Sequence, residues 1–292
     1  MLSGAILKKG DEFMHQEDYN AHEGIRRSDL WNINRSPAYF KAQSETKREP
    51  SPSMIFGIAA HKMILEPDTF FDEYIIAPNI DKRTKAGKEE WQKFIDNSSD
   101  KEVISQVDFA KIKAMSETIK NDELANLFLT GQHETEWYWE DISTHEKVKA
   151  KCDNIAIIDN KKYIVDYKTT SSCQDGYFES TINKYGYQFQ AGFYTAGLEQ
   201  INDEKYGFAF VAQETTAPYA CRVYICSDAF IINGQLKYHE LLNLYHDCKI
   251  NNNWYGYNGA NKMPTILKDK SELNINNYNS ISEFNSDDYL DE

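Results

Sequence analysis

The stretch KVKAKCDNIAIIDNKKYIVDYKTTSS, Lys147 to Ser172, decides the fold, and the rest of the chain supports it. Two runs rich in β-branched and apolar residues, Val148 to Ile158 and Tyr163 to Thr169, flank the polar break Asp159-Asn160-Lys161-Lys162. That pattern predicts a β-hairpin. Alternate side chains of a strand share a face, so Asp166 and Lys168 point one way and Tyr167 the other. An even-length turn centred on Asn160-Lys161 sets Ile158 opposite Tyr163 and Asp153 opposite Lys168, diagonal to Asp166. Two carboxylates and a lysine then converge on one face beside apolar neighbours, where unpaired charge is costly. A divalent cation such as Mg²⁺, commonly held by one or two carboxylates and water, relieves that cost. The alternative is a solvated hairpin whose Asp and Lys pair on the surface. For an isolated Asp-x-Lys that alternative is the commoner one, so the surrounding chain decides.

With 292 residues, 41% hydrophobic and 13% aromatic, the chain suits one large globular domain or two small ones. No run of about 18 apolar residues occurs, so no membrane span is expected. The N-terminus, MLSGAILKKGDEFM, lacks the charge order of a signal peptide, and the expected location is cytoplasmic. The five cysteines have no C-x-x-C spacing and read as free thiols, an iron–sulfur cluster being the lesser alternative. A net charge of −14 argues against a simple electrostatic grip on nucleic acid. Local charge matters more, and Lys82, Arg83, Lys85 and Lys88 form one basic segment, with Lys41, Lys47 and Arg48 a looser one. Either can be a solvated face.

In order, residues 1–24 read as a polar arm, 25–257 as the folded domain and 258–292 as a polar, acidic tail. Ser28-Asp29 and Ser36-Pro37 signal two short helices, each opening at a capping residue. The helix Met54 to Leu65 places Met54, Ile58, His61 and Leu65 on one face, so His61 is expected on the apolar side. A core histidine is the favoured reading of that segment taken alone. Further helices are expected over Ala86–Asp96 and Asp108–Leu129. ETEWYWE, Glu134 to Glu140, alternates as a strand, with Trp137 and Trp139 on one face and Glu136 and Tyr138 on the other. After the central hairpin come helices over Gln174–Asn183 and Tyr187–Ile201. Strands over Tyr206–Gln213 and Tyr219–Cys226 follow, then a helix from Ser227-Asp228 to about Lys249. Helices, three strands, two helices, two strands and a helix predict a mixed sheet with helices packed on it.

Taken together these segments resemble the RecE-like (exonuclease VIII) nuclease domain of the PD-(D/E)XK superfamily. The likeness runs over roughly Ser28 to Tyr257. SDLWNINRSPAYF resembles that family's Ser-x-Leu…Ser-Pro-x-x-Tyr segment, and FGIAAHKMILEP its Gly-x-x-x-His helix followed by Leu-Glu-Pro. DKRTKAGKEEW matches another family segment. Asp153 and Asp166-Tyr167-Lys168 stand at the D…(D/E)XK positions, and QAGFY fits the Gln-x-x-x-Tyr signature. Cys152 replaces the proline of the superfamily name, and Asp166 the commoner Glu. The resemblance reverses the reading of His61.

It implies an α/β fold of the restriction-endonuclease type, a mixed central sheet flanked by helices with a helical N-terminal segment. It also implies a Mg²⁺-dependent exodeoxyribonuclease, with Mn²⁺ able to substitute, that degrades duplex DNA 5′→3′ and leaves 3′ single strands for recombination. His61, Asp153, Asp166 and the Tyr167 carbonyl would bind the metal. Lys168 would orient and deprotonate water, and Glu136 would be a further catalytic carboxylate or a surface one. Gln190, Tyr194, Arg35, Ser36 and Arg83 would contact DNA. The implied partners are double-stranded DNA ends and a RecT-like single-strand annealing protein, often in phage or prophage, with a homo-oligomeric ring as the assembly. Another nuclease of the fold, an endonuclease or a RecB-like repair nuclease, and an inactive DNA-binding relative are the alternatives. The chain has no Walker A motif, so a helicase function would need another chain.

Overall fold

The computed structural model describes residues 16–46, 50–98 and 101–259. Most of the arm, the pair Lys47 and Arg48, and nearly all of the acidic tail lie outside them. The chain begins with α1 (Gln16–Ala21), α2 (Arg27–Arg35), α3 (Pro37–Ser44), α4 (Pro52–Leu65) and α5 (Phe70–Glu73). Strands β1 (Tyr74–Ile76) and β2 (Glu102–Ile104) pair in parallel around α6 (Lys85–Asp96). Then come α7 (Gln106–Asn121) and α8 (Glu123–Phe128), where one longer helix was expected. Asp122 divides them: its carboxylate accepts from the Ala125 amide at 2.8 Å and caps α8.

The central sheet is β3 (Gln132–Glu140), β4 (Lys147–Ile158), β5 (Lys161–Thr170), β6 (Gly207–Glu214) and β7 (Cys221–Ile225), in that spatial order. All neighbours are antiparallel except β5 and β6. That parallel pair needs a crossover, supplied by α9 (Asp175–Tyr185) and α10 (Tyr187–Asn202). The long α11 (Asp228–Ile250) closes the fold, which is the mixed sheet flanked by helices that the element order predicts. Strand β6 is buried on both faces, as its nearly unbroken apolar run GFAFVA requires.

Helices α9 and α10 cover one face of the sheet, where Phe178, Ala191 and Leu198 meet Ile164, Phe208 and Phe210. Helices α2 and α11 extend that layer through Leu30, Ile33, Tyr238 and Leu241. On the other face Leu65, Ile119, Ala125 and Phe128 pack on Val165, Tyr167, Ala209 and Val211.

Two expectations need correction. The hairpin turn is Asp159-Asn160, both with positive φ (49° and 63°), and Ile158 pairs with Lys161. This two-residue turn matches the strand twist, which a four-residue break does not. The register therefore moves by two residues and sets Asp153 opposite Asp166 rather than Lys168. Parity is unchanged, so the facing of the side chains survives. In α4 the buried residues are Ala59, Ala60 and Leu65, whereas Met54 and Ile58 are more than half exposed. Small alanines let α4 approach α7 closely, so the wider apolar stripe does not face the core, and His61 lies at its border.

Candidate metal centre

The regular alternation of β4 breaks at Asp153. Cys152 and Ile155, three residues apart, share one core cluster, while Ala156 belongs to the opposite one. Across the ladder, His133 pairs with Asn154 and Thr135 with Cys152, which places Glu134 opposite Asp153. Glu134 has φ 51°, unusual for a residue other than glycine. On the other side the β4–β5 ladder runs from the turn only to Asn154–Val165. Beyond it the Tyr167 amide donates to Asp153 Oδ2 at 2.9 Å. A side chain thus takes a ladder donor where the strands part, in the manner of a bulge.

Into this gap α4 delivers His61. Its Nε2 lies 2.8 Å from Asp153 Oδ2 and its Nδ1 3.3 Å from Glu134 Oε1. Ligand atoms of His61, Glu134 and Asp153 all fall within 4.8 Å of one another. Lys151 neutralises the outer side of Glu134 at 2.8 Å. Behind Asp153 stands Asp166, whose Oδ1 accepts from Gln190 Nε2 at 2.5 Å. Its Oδ2 lies 2.5 Å from Lys168 Nζ, an ion pair without the geometry of a hydrogen bond, and is buried with no hydrogen-bond partner. The Lys168 ammonium sits 5.2 Å from the centre of the Tyr187 ring.

The electrostatics follow from crowding four charged groups out of water. Burial, reinforced by Asp153, raises the Asp166 carboxyl to about 6 against the pull of Lys168. Burial also works against Asp153, but His61, Lys168 and the Tyr167 amide outweigh it and hold its pKa low. Burial opposes the imidazolium of His61, yet Asp153 and Glu134 win and raise it to about 10. Lys168 is held above its ordinary value because Asp166 and Asp153 overcome burial. Lys168 therefore holds its proton firmly, against the expectation that it would take one from water.

A divalent cation fits this donor set. One imidazole and two carboxylates already converge, and beside them Asp166 Oδ2 is a buried acceptor with an ion-pair contact to Lys168 but no hydrogen bond.

The predicted residues divide by position. His61, Asp153, Asp166, Lys168 and Gln190 come together, with Tyr194 enclosed behind them between two core clusters. The Tyr167 ring packs on the opposite face and its hydroxyl donates to Gln213 at 2.7 Å. Glu136 does not join them: it stands opposite Lys151 and accepts from the Tyr138 hydroxyl at 2.9 Å. Glu134 takes the place expected for it, because β3 starts at Gln132 and the distortion at Glu134 turns that side chain inward. The clue in the sequence was the pair of glutamates two apart on one strand face. Ser36 does not offer the expected DNA contact openly either, since it is buried and its Oγ accepts from the Tyr39 amide to cap α3. Arg35 lies over the Tyr39 ring and donates to the Tyr257 hydroxyl at 2.9 Å, fastening the segment after α11. Arg83 pairs with Asp81 in an exposed turn before α6.

No curated protein matches the chain. Among solved structures, a presumptive exonuclease from Eubacterium rectale aligns with 91% of this chain and 98% of its own, at 16% identity and a TM-score of 0.55. That identity speaks for the fold alone. The protein SSO0001 aligns with 78% of this chain and 81% of its own at 14% identity, but a TM-score of 0.34 carries no argument. Residues 27–263 match the profile of the PDDEXK-like domain of unknown function (DUF3799), and the chain belongs to that family.

Proposed function

We propose that this protein is a Mg²⁺-dependent exodeoxyribonuclease that degrades linear duplex DNA 5′→3′ and leaves 3′ single-stranded ends for recombination. The observation that carries the reading is the convergence of His61, Glu134 and Asp153 beside the Asp166–Lys168 pair. When bound, the cation neutralises non-bridging phosphate oxygens and makes water acidic enough to attack. The protein's own groups set the geometry. His61, Glu134 and Asp153 would supply ligands from three segments, and Asp166 would add a fourth donor. Lys168 presents its ammonium to the site and can orient the attacking water or offset charge gathering on the phosphate. Gln190 fixes Asp166 by one oxygen, and the Tyr187 ring limits where Lys168 can swing. Polarity, a ring-shaped homo-oligomer and a RecT-like annealing partner rest on the resemblance to RecE-like nucleases.

The test compares linear duplex, labelled at either 5′ or 3′ ends, with covalently closed circles in Mg²⁺ and in EDTA. The expected result is metal-dependent release of 5′ label from linear DNA with circles intact. Cut circles would make the protein an endonuclease of the same fold. Binding without cleavage of any substrate would leave an inactive relative.

A further inference from the structure

Helix α2 meets the corner where α9 ends and α10 begins. Arg27, its first residue, extends beside the stacked rings of Trp31 and Phe189, 5.7 and 5.8 Å from their centres. Its Nη2 donates to the Tyr185 carbonyl and, at 2.9 Å, to the Gly186 carbonyl. A cation at the carbonyl end of α9 is favourable, yet this one is half-buried, with its Nε out of reach of water. Its Nε has no hydrogen-bond partner, and no carboxylate pairs with it among the described residues. A guanidinium so placed costs stability unless its position serves something else.

The corner it holds is tightly specified. Gly186 has φ 66°, and a Cβ there would stand 2.6 Å from Trp31 Cζ3, so the indole fills the space that only glycine leaves. The same indole stacks on Phe189 at 5.6 Å. One turn on, the Gln190 amide donates to the Gly186 carbonyl at 3.0 Å, and the Gln190 side chain reaches Asp166. A shift of the corner moves the start of α10 and carries Gln190 off Asp166.

We propose that Arg27 is a positioning residue for the cleavage reaction: with Trp31 it pins the α9–α10 corner and thereby keeps Gln190 on Asp166 Oδ1, leaving Oδ2 to Lys168. This rests on the nuclease reading of the site. Arg27 touches none of the reacting atoms, so its loss should appear in turnover and not in DNA binding.

The experiment measures kcat and KM on linear duplex, Mn²⁺ affinity by calorimetry without DNA, and Tm, for Arg27→Met, Arg27→Lys, Gln190→Met and the Arg27→Met/Gln190→Met double variant. Arg27→Met should lower kcat about tenfold or more with KM within about twofold, and Arg27→Lys should recover part of the loss. In the Gln190→Met background, Arg27→Met should cost less than about twofold further, since both act through one contact. Multiplying losses would overturn the proposal. A raised KM at constant kcat would also overturn it, and would make Arg27 a DNA contact. If Arg27→Met does not fold, Trp31→Leu in the same two backgrounds carries the same comparison. Should the wild-type protein cut no DNA, the nuclease reading fails and Mn²⁺ affinity becomes the readout. The clamp then stands on non-additive losses and falls on additive ones.

Discussion

His61 carries the sharpest consequence at the scale of a residue. Its folded-state pKa of about 10 lies above the ordinary value of 6.5, so metal-free protein binds a proton there that the unfolded chain releases. The stabilisation is complete below about pH 6.5 and is lost as pH rises through about 10. In EDTA, Tm should fall between pH 7 and pH 10, and His61→Gln should flatten that slope; an unchanged slope in the variant would remove His61 from the account. A metal ion needs the lone pair that this proton occupies, so binding at neutral pH should release it. Calorimetry of Mn²⁺ binding in buffers of different ionisation enthalpy reads that proton directly. The neighbouring pair is tested by rate. Asp166→Ala and Lys168→Ala should each lower turnover by about a hundredfold or more while the circular dichroism spectrum stays native, and near-wild-type activity in either would remove the pair from the chemistry.

Among the elements, the hairpin of β4 and β5 governs the site because its register places Asp153 opposite Asp166. The Asp159-Asn160 turn requires two residues with positive φ. Asn160→Val should cost about 1 kcal/mol in urea denaturation, and Asn160→Gly should be neutral or stabilising. Equal stability of the two variants would show that the turn does not set the register. The hairpin itself is legible in the sequence, as are the two later strands and the helices before and after them, because period-2 and period-3.6 patterns dominate there. The register is not, because IDNKKY supports more than one turn and the choice depends on twist. Glu134 is hidden for a related reason. Alternation groups it with Glu136, and only a backbone distortion that no pattern encodes separates the two. Helix α4 misleads through composition: its exposed Met54 and Ile58 outweigh in hydrophobicity the alanines that make the contact. Ser36 is visible as a cap and Arg35 as a cation, but what covers them depends on the segment around Tyr255 and Tyr257, distant in sequence.

For the whole molecule, a net charge of −14 sets a constraint on any DNA grip. The basic turn and first turns of α6, with Lys82 over the Trp91 ring at 3.0 Å and Lys85 and Lys88 beyond it, offer the compensating surface. If that surface meets the phosphate backbone, Lys85→Gln with Lys88→Gln should weaken duplex binding and reduce the slope of log K against log salt by about 1 to 2. An unchanged slope assigns α6 to solvent. Among the described residues no helix is long and apolar enough to cross a membrane. The candidate metal-ligand cluster draws on α4, β3 and β4, and the groups beside it come from β5 and α10. In a chain emerging from the ribosome these segments appear one after another. His61 and Glu134 come out long before Lys168, and Gln190 last of all. A nascent or truncated polypeptide therefore has a partial ligand set but no means of cutting. On the nuclease reading, the long separation in sequence ties any cleavage to completion of the whole domain rather than to any one segment of it.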